Sequence, residues 1–139
     1  MSSKNFEAQV AIVTGAGQGI GYEICSQLAA RGASVLLNDV DESLAKQAAA
    51  TINQQYKNCI ALPGDASDPQ FIQQMVDTAV SRFGKLTIAI ANAGITLFGE
   101  FLDYKPEALY QVLHTNLGGS FFLAQAAANQ MKKQGNGGS

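Results

Sequence analysis

The sequence predicts a doubly wound α/β fold, a parallel sheet with helices on both faces. Three observations carry that expectation. Short runs that are apolar throughout, VAIVT (10–14), SVLLN (34–38), CIAL (59–62) and TIAIA (87–91), read as strands buried on both sides. Helix-patterned stretches separate them, as parallel strands require, since each return to the same end of a sheet needs a crossover. A glycine cluster, TGAGQGIG (14–21), stands where the first strand gives way to the first helix.

Each helix carries local signals. The first is expected from about Gly19 to Arg31, with Ile20, Ile24 and Leu28 on its inner face and Gly32 as its stop. Asp41 caps a second helix that begins at Glu42, an acidic residue suited to the positive end of the helix dipole. Pro63-Gly64 closes the third strand. Asp68-Pro69 then supplies a cap and a proline at the first helical position, opening a helix to about Phe83. Pro106 lies near the start of a long last helix running to about Gln134. There Leu109, Val112, Leu113, Leu117, Phe121, Ala124, Ala128 and Met131 recur at three- and four-residue steps, predicting the stripe that faces the core, with Asn116 and Ser120 on the same stripe. No repeat, low-complexity tract or long linker interrupts this order, so residues 1–139 read as a single domain or part of one.

Composition narrows the function. The 139 residues are 47% hydrophobic and 14% charged, with a net charge of -2, which suits a globular core and offers no basic stripe to nucleic acid or to an anionic membrane. No apolar run has signal-peptide or transmembrane length, so the expected location is cytoplasmic. Cys25 and Cys59 lie in apolar patterns and read as buried thiols. With one histidine in the chain, no metal site is expected.

The glycine cluster is informative because of its place. Between strand and helix, residues without a Cβ allow a tight turn and let a pyrophosphate reach the helix's free N–H groups. The spacing is T-G-x-x-x-G-x-G, on Thr14, Gly15, Gly19 and Gly21, with Gln18 and Ile20 inside it. It is neither G-x-G-x-x-G nor a nucleoside-triphosphatase loop, which would carry Gly-Lys-Ser/Thr. Asp39, with Val40 beside it, ends the second strand about 20 residues further on, the spacing of the acid that grips an adenosine ribose. Its carboxylate would accept both ribose hydroxyls and repel a 2′-phosphate, and the loop holds no Arg or Lys to rescue that phosphate. The expected cofactor is NAD rather than NADP; the alternative is that Asp39 is only a turn residue ahead of Asp41.

These stretches together resemble the short-chain dehydrogenase/reductase family, whose domain is of the Rossmann type. The family's glycine loop has the form found at 14–21. Its Asp after the third strand matches Asp65-Ala66 in GDASD, which the resemblance assigns to the adenine ring. Its Asn-Ala-Gly after the fourth strand matches Asn92-Ala93-Gly94, which would brace the sheet centre beside the cofactor. HTNLGGSFF (114–122) matches the last helix. The resemblance covers all 139 residues and makes Asn116 the catalytic-site member, fixing a bend in that helix and a water that relays protons to a lysine. Without it, Asn116 next to Gly118-Gly119 reads as a satisfied core amide at a local bend. His114 reads as an ordinary helix-surface residue.

The resemblance further implies an exchange of hydride between NAD and a small-molecule alcohol or carbonyl substrate. That reaction needs a serine and a Tyr-x-x-x-Lys pair. The tyrosines here are Tyr22, Tyr56, Tyr104 and Tyr110, and four residues beyond them stand Ser26, Ile60, Ala108 and His114, none of them lysine. In the family these catalytic residues lie beyond the long helix, so the chain is expected to be the NAD-binding half of an incomplete domain and to be catalytically silent by itself. Alternatives are a non-catalytic NAD-binding module and a structural fragment completed by another chain. The expected consequences of such a cut are an open edge on the fourth strand, an uncovered face with Phe121, Phe122 and Leu123, and a homo-oligomer formed through the last helix.

Overall fold

A computed structural model describes residues 5–139. Four strands, β1 (Val10–Val13), β2 (Ser34–Leu37), β3 (Cys59–Ala61) and β4 (Ile88–Ile90), form one sheet in the order β3-β2-β1-β4. All three pairings are parallel. The helices α1 (Gly19–Ala30), α2 (Glu42–Asn53), α3 (Pro69–Phe83), α4 (Pro106–Leu113) and α5 (Gly119–Gln134) are completed by a 3-10 turn at Phe101–Asp103. One π-helical turn, His114–Gly118, joins α4 to α5.

The apolar strands explain the two layers. Alternate residues of each strand point to opposite faces. Ala11, Val13, Val35 and Leu37 therefore meet α1 and α2 on one side, while Val10, Ile12 and Leu36 meet α3 and α5 on the other. Ile12, Leu36 and Leu37 are completely buried, and each contributes about 1.5–3 kcal/mol of transfer free energy. Cys25 and Cys59 are free and buried in the first layer; burial raises both thiols, Cys59 to about 12, so neither ionises near neutral pH.

The predicted caps form. The Leu44 N–H donates to the Asp41 carboxylate at 2.9 Å and the Gln70 N–H to the Asp68 carboxylate at 2.9 Å. On α1 the inner residues are Gly21, Cys25, Leu28 and Ala29; Ile24 is half-buried and Ile20, expected inside, is exposed.

The last helix departs from expectation more. Its core-facing residues are Gly119, Leu123, Ala127 and Met131. Of the predicted stripe only Met131 is buried; Leu109, Leu113, Leu117, Phe121, Ala124 and Ala128 are exposed. Both faces of this stretch carry apolar residues, so periodicity does not say which one meets the sheet; α4 buries none of its residues, and α5 turns Leu123, Ala127 and Met131 inward. The uncovered face also differs, because Leu123 packs into the layer under α3 and Phe122 is half-buried; of the three residues named, Phe121 alone is exposed. Nor is the outer edge of β4 wholly bare. Ser139 spans it as a parallel strand would, its N–H donating to Thr87 O at 2.9 Å and its carbonyl accepting from the Ala89 N–H at 2.8 Å.

Side-chain amides fasten the sheet's irregular ends. Gln134 accepts from the Leu86 N–H at 2.9 Å and donates to Leu86 O at 2.8 Å, and Asn53 makes the same two-bond pair with Cys59. Leu86 is fully buried, so no water replaces that partner. Gln134→Ala should lower unfolding stability by about 1–3 kcal/mol, read from urea denaturation; a change within error would mean the clamp carries no net stability.

Candidate functional site

At the carboxyl end of the parallel strands a cleft of about 470 Å³ opens, the size and place at which doubly wound sheets bind ligands. The glycine loop forms its floor. Gly15 has φ of +61°, and a Cβ there would lie 2.7 Å from Ala93 Cα, so the turn and the close approach both demand glycine. The loop is held from across the sheet. Thr14 Oγ1 accepts from the Asn92 and Ala93 N–H groups, both at 3.1 Å, while Asn92 Nδ2 donates to Thr14 O at 3.0 Å and Gly15 O at 2.9 Å.

The start of α1 is suited to an anion. Its N-cap Gln18 makes no side-chain cap bond and its first turn holds no acid, whereas Asp41 and Asp68 occupy that place on α2 and α3. The first-turn N–H groups of α1 thus lack both an intrahelical acceptor and a carboxylate.

One wall carries two carboxylates. Asp39 Oδ2 accepts from the Gly17 N–H at 2.9 Å and Oδ1 from the Asp41 N–H at 3.0 Å, leaving each oxygen with capacity for a further donor. Asp65 Oδ1 accepts from the Ser67 hydroxyl at 2.6 Å and the Ser67 N–H at 2.8 Å. The Ser67 hydroxyl first, then its N–H, hold the Asp65 carboxyl below the ordinary carboxylate value; desolvation opposes them and His114 adds a smaller downward pull. His114 is exposed, as expected, yet it lies close enough to act on Asp65.

The opposite wall comes from the long helix, where Gln111 and Thr115 line the cleft one turn apart. The start of α5 packs closely on the Asp65 loop, for a Cβ on Gly119 would meet Ala66 O at 2.9 Å. Asn116 lies in the π turn. Its amide makes a two-bond pair with Ile95, accepting from the N–H at 2.8 Å and donating to the carbonyl at 2.9 Å. The Asn116 carbonyl accepts from the Ser120 hydroxyl at 2.8 Å.

Of the residues singled out from the sequence, Gly15, Gln18, Asp39, Val40, Asp65, Ala66, Asn92, Ala93 and Gly94 converge on this cleft. Thr14 and Gly21 are buried behind the loop, Gly19 and Ile20 are exposed outside the lining, and Asn116, expected as a core amide, is also exposed outside the lining while bonded to Ile95. The sequence reading missed Asn38, Gly64, Ser67, Ile95, Gln111 and Thr115. Gln111 and Thr115 carry an i, i+4 spacing that could have found them; Asn38, at the end of an apolar run, carries no such signal.

Among the described residues no three His, Cys, Asp or Glu side chains converge as metal ligands, and no helix is long and apolar enough to cross a membrane. Ser67→Ala should raise the Asp65 carboxyl toward its ordinary value, followed by carboxyl NMR during an acid titration. Because the folded-state value is the depressed one, Asp65's contribution to stability is present above the unfolded value, about pH 4, and fades as pH falls through the folded value. An unmoved titration in the variant would show that Ser67 is not the cause.

Comparison with known proteins agrees with this geometry. Residues 9–138 match the family described as short chain dehydrogenase. An L-rhamnose-1-dehydrogenase of Scheffersomyces stipitis is 41% identical over 135 residues, which cover 94% of this chain and 52% of the relative. An L-rhamnose 1-dehydrogenase (NAD(P)(+)) of a Sphingomonas species is 39% identical, covering 98% of this chain and 54% of the relative. A solved short-chain type dehydrogenase/reductase from Mycobacterium marinum superposes with a TM-score of 0.93 at 30% identity, over 97% of this chain and 55% of that one. The chain thus spans about half the length of the curated relatives it matches. Its parallel sheet, its glycine loop and a family match that runs almost from end to end lead to one conclusion: the chain belongs to the short-chain dehydrogenase family.

Proposed function

We propose that this chain is the NAD-binding half of an oxidoreductase that moves hydride between NAD(H) and an alcohol or carbonyl substrate. The observation that carries the reading is Asp39: its carboxylate lines the cleft at the end of β2, oriented by two backbone N–H groups and able to take more donors. Such a carboxylate suits the two hydroxyls of an adenosine ribose and disfavours a 2′-phosphate. Thr14, Gly15, Gln18, Gly19, Ile20 and Gly21 would hold the pyrophosphate, with Val40 beside the ribose. Asp65 and Ala66 would receive the adenine. Asn92, Ala93 and Gly94 would lie along the cofactor's other half, and Asn116, through its clamp on Ile95, would keep that wall in place.

NAD would supply the hydride acceptor; these 139 residues would supply its binding and orientation. Turnover needs a serine and a Tyr-x-x-x-Lys pair from elsewhere, because no tyrosine here has a lysine four residues on. For the substrate, the names of two relatives make an aldose such as L-rhamnose the first to assay once such a catalytic portion is present. A second reading, an NAD-binding module without turnover, shares the same missing pair, so that absence does not separate the two; an intact mass well above 14.6 kDa for the protein in solution would favour the enzyme.

Asp39→Ala should reduce the preference for NAD over NADP about tenfold, measured as the ratio of the two dissociation constants by calorimetry. An unchanged ratio removes the ribose-grip assignment. The chain is further proposed to associate through the last helix, where Leu109, Leu113, Leu117 and Phe121 form an exposed apolar row. Phe121→Glu should shift the mass measured by light scattering toward the monomer; the same mass for both proteins would place any interface elsewhere.

A further inference from the structure

Asn38 is only 1% exposed, and yet it lines the cleft. Its backbone joins two segments, with the N–H donating to Val13 O at 3.0 Å and the carbonyl accepting from the Ala16 N–H at 2.7 Å. Its side chain joins a third, as Nδ2 donates to both Leu62 O and Gly64 O at 3.0 Å. The last paired residues of β2 and β3 are Leu37 and Ala61, and beyond them β3 leads into the Pro63-Gly64 turn. At that point the Asn38 amide replaces the next rungs of the ladder. The neighbouring Asp39 carbonyl completes the hold by accepting from the Gly64 N–H at 3.0 Å. Gly64 is thereby fastened between Asn38 and Asp39, immediately before Asp65.

We infer that Asn38 is a positioning residue for the nucleotide: its buried amide fixes the spacing between the Asp39 and Asp65 carboxylates, so that one adenosine meets both. The inference rests on the NAD reading above. Both carbonyls are reached by the same side-chain nitrogen. A side chain presenting oxygen there would face two carbonyl oxygens and push the Asp65 loop away from Asp39.

The test uses the 139-residue chain and ADP-ribose as the probe, with binding measured by calorimetry and folding by circular dichroism. Asn38→Asp conserves size and replaces the donor with an acceptor. At about pH 8 it should bind ADP-ribose about tenfold more weakly, from the loss of the two hydrogen bonds to Leu62 and Gly64. Relative to the unaltered chain measured over the same range, which shares His114 beside Asp65, binding should recover as pH falls toward about 5.5, where the introduced carboxyl takes up a proton and donates again. Asn38→Ser, smaller and uncharged, guards against a misfolded first variant and enters a double-mutant cycle with Asp65→Ala. If Asn38 acts by placing Asp65, the serine change should cost affinity in the Asp65 background and almost none after Asp65→Ala. Equal losses in both backgrounds, or full affinity in both Asn38 variants, would overturn the inference and leave the NAD reading standing. Absence of saturable ADP-ribose binding by the unaltered chain would overturn both.

Discussion

The arrangement depends first on the junction of Thr14 and Asn92. Two strands that are far apart in sequence end side by side, and their polar side chains satisfy each other's backbone: the Thr14 hydroxyl takes two N–H groups, and the Asn92 amide gives to two carbonyls. Backbone groups at a sheet's end have lost their ladder partners and must find others. Meeting that need here also fixes the glycine loop against Ala93 at van der Waals distance. The floor of the cleft and the start of α1 are consequences of this one junction. The first-turn N–H groups of α1 are fed by a loop that these four hydrogen bonds hold in place.

The same device recurs where the sheet gives way to irregular chain. Asn53 pairs with Cys59, Gln134 with Leu86, and Asn116 with Ile95, each amide donating to and accepting from one residue's backbone as a strand would. Asn38 differs in giving both donors to carbonyls, and it stands at the cleft. Gln134 and Asn116 are at the two ends of α5's contact with the β4 segment. The helix is thus fastened at both ends, and its apolar core contacts, through Leu123, Ala127 and Met131, fill the distance between. The π turn belongs to this system. Across it, Asn116 bonds to Ile95 and Leu123 packs into the layer with α3.

Much of this was legible beforehand. Apolar strand runs, Asp caps ahead of Glu42 and Pro69, and a glycine loop between strand and helix are local signals, each with a mechanism that acts within a few residues. The elements accordingly begin and end within a residue or two of expectation. The last helix was misread because both its faces carry apolar residues. Periodicity tells that a face exists but not which of two faces the sheet will meet. Asn38 was invisible for a similar reason, since an amide at the end of an apolar strand looks the same whether it faces solvent or two backbone carbonyls of the next turn.

Local sequence signals were enough for the parallel α/β class, the strand and helix order, the place of the glycine loop and the acid just beyond β2. These follow from propensity, capping and spacing, which are short-range. Tertiary structure alone decided which carbonyl each amide satisfies, which face of α5 is covered, and that Asp39, Asp65, Gln111 and Thr115 surround one cleft. Those outcomes depend on how strands separated by many residues stack, and that separation is closed only when the whole sheet forms.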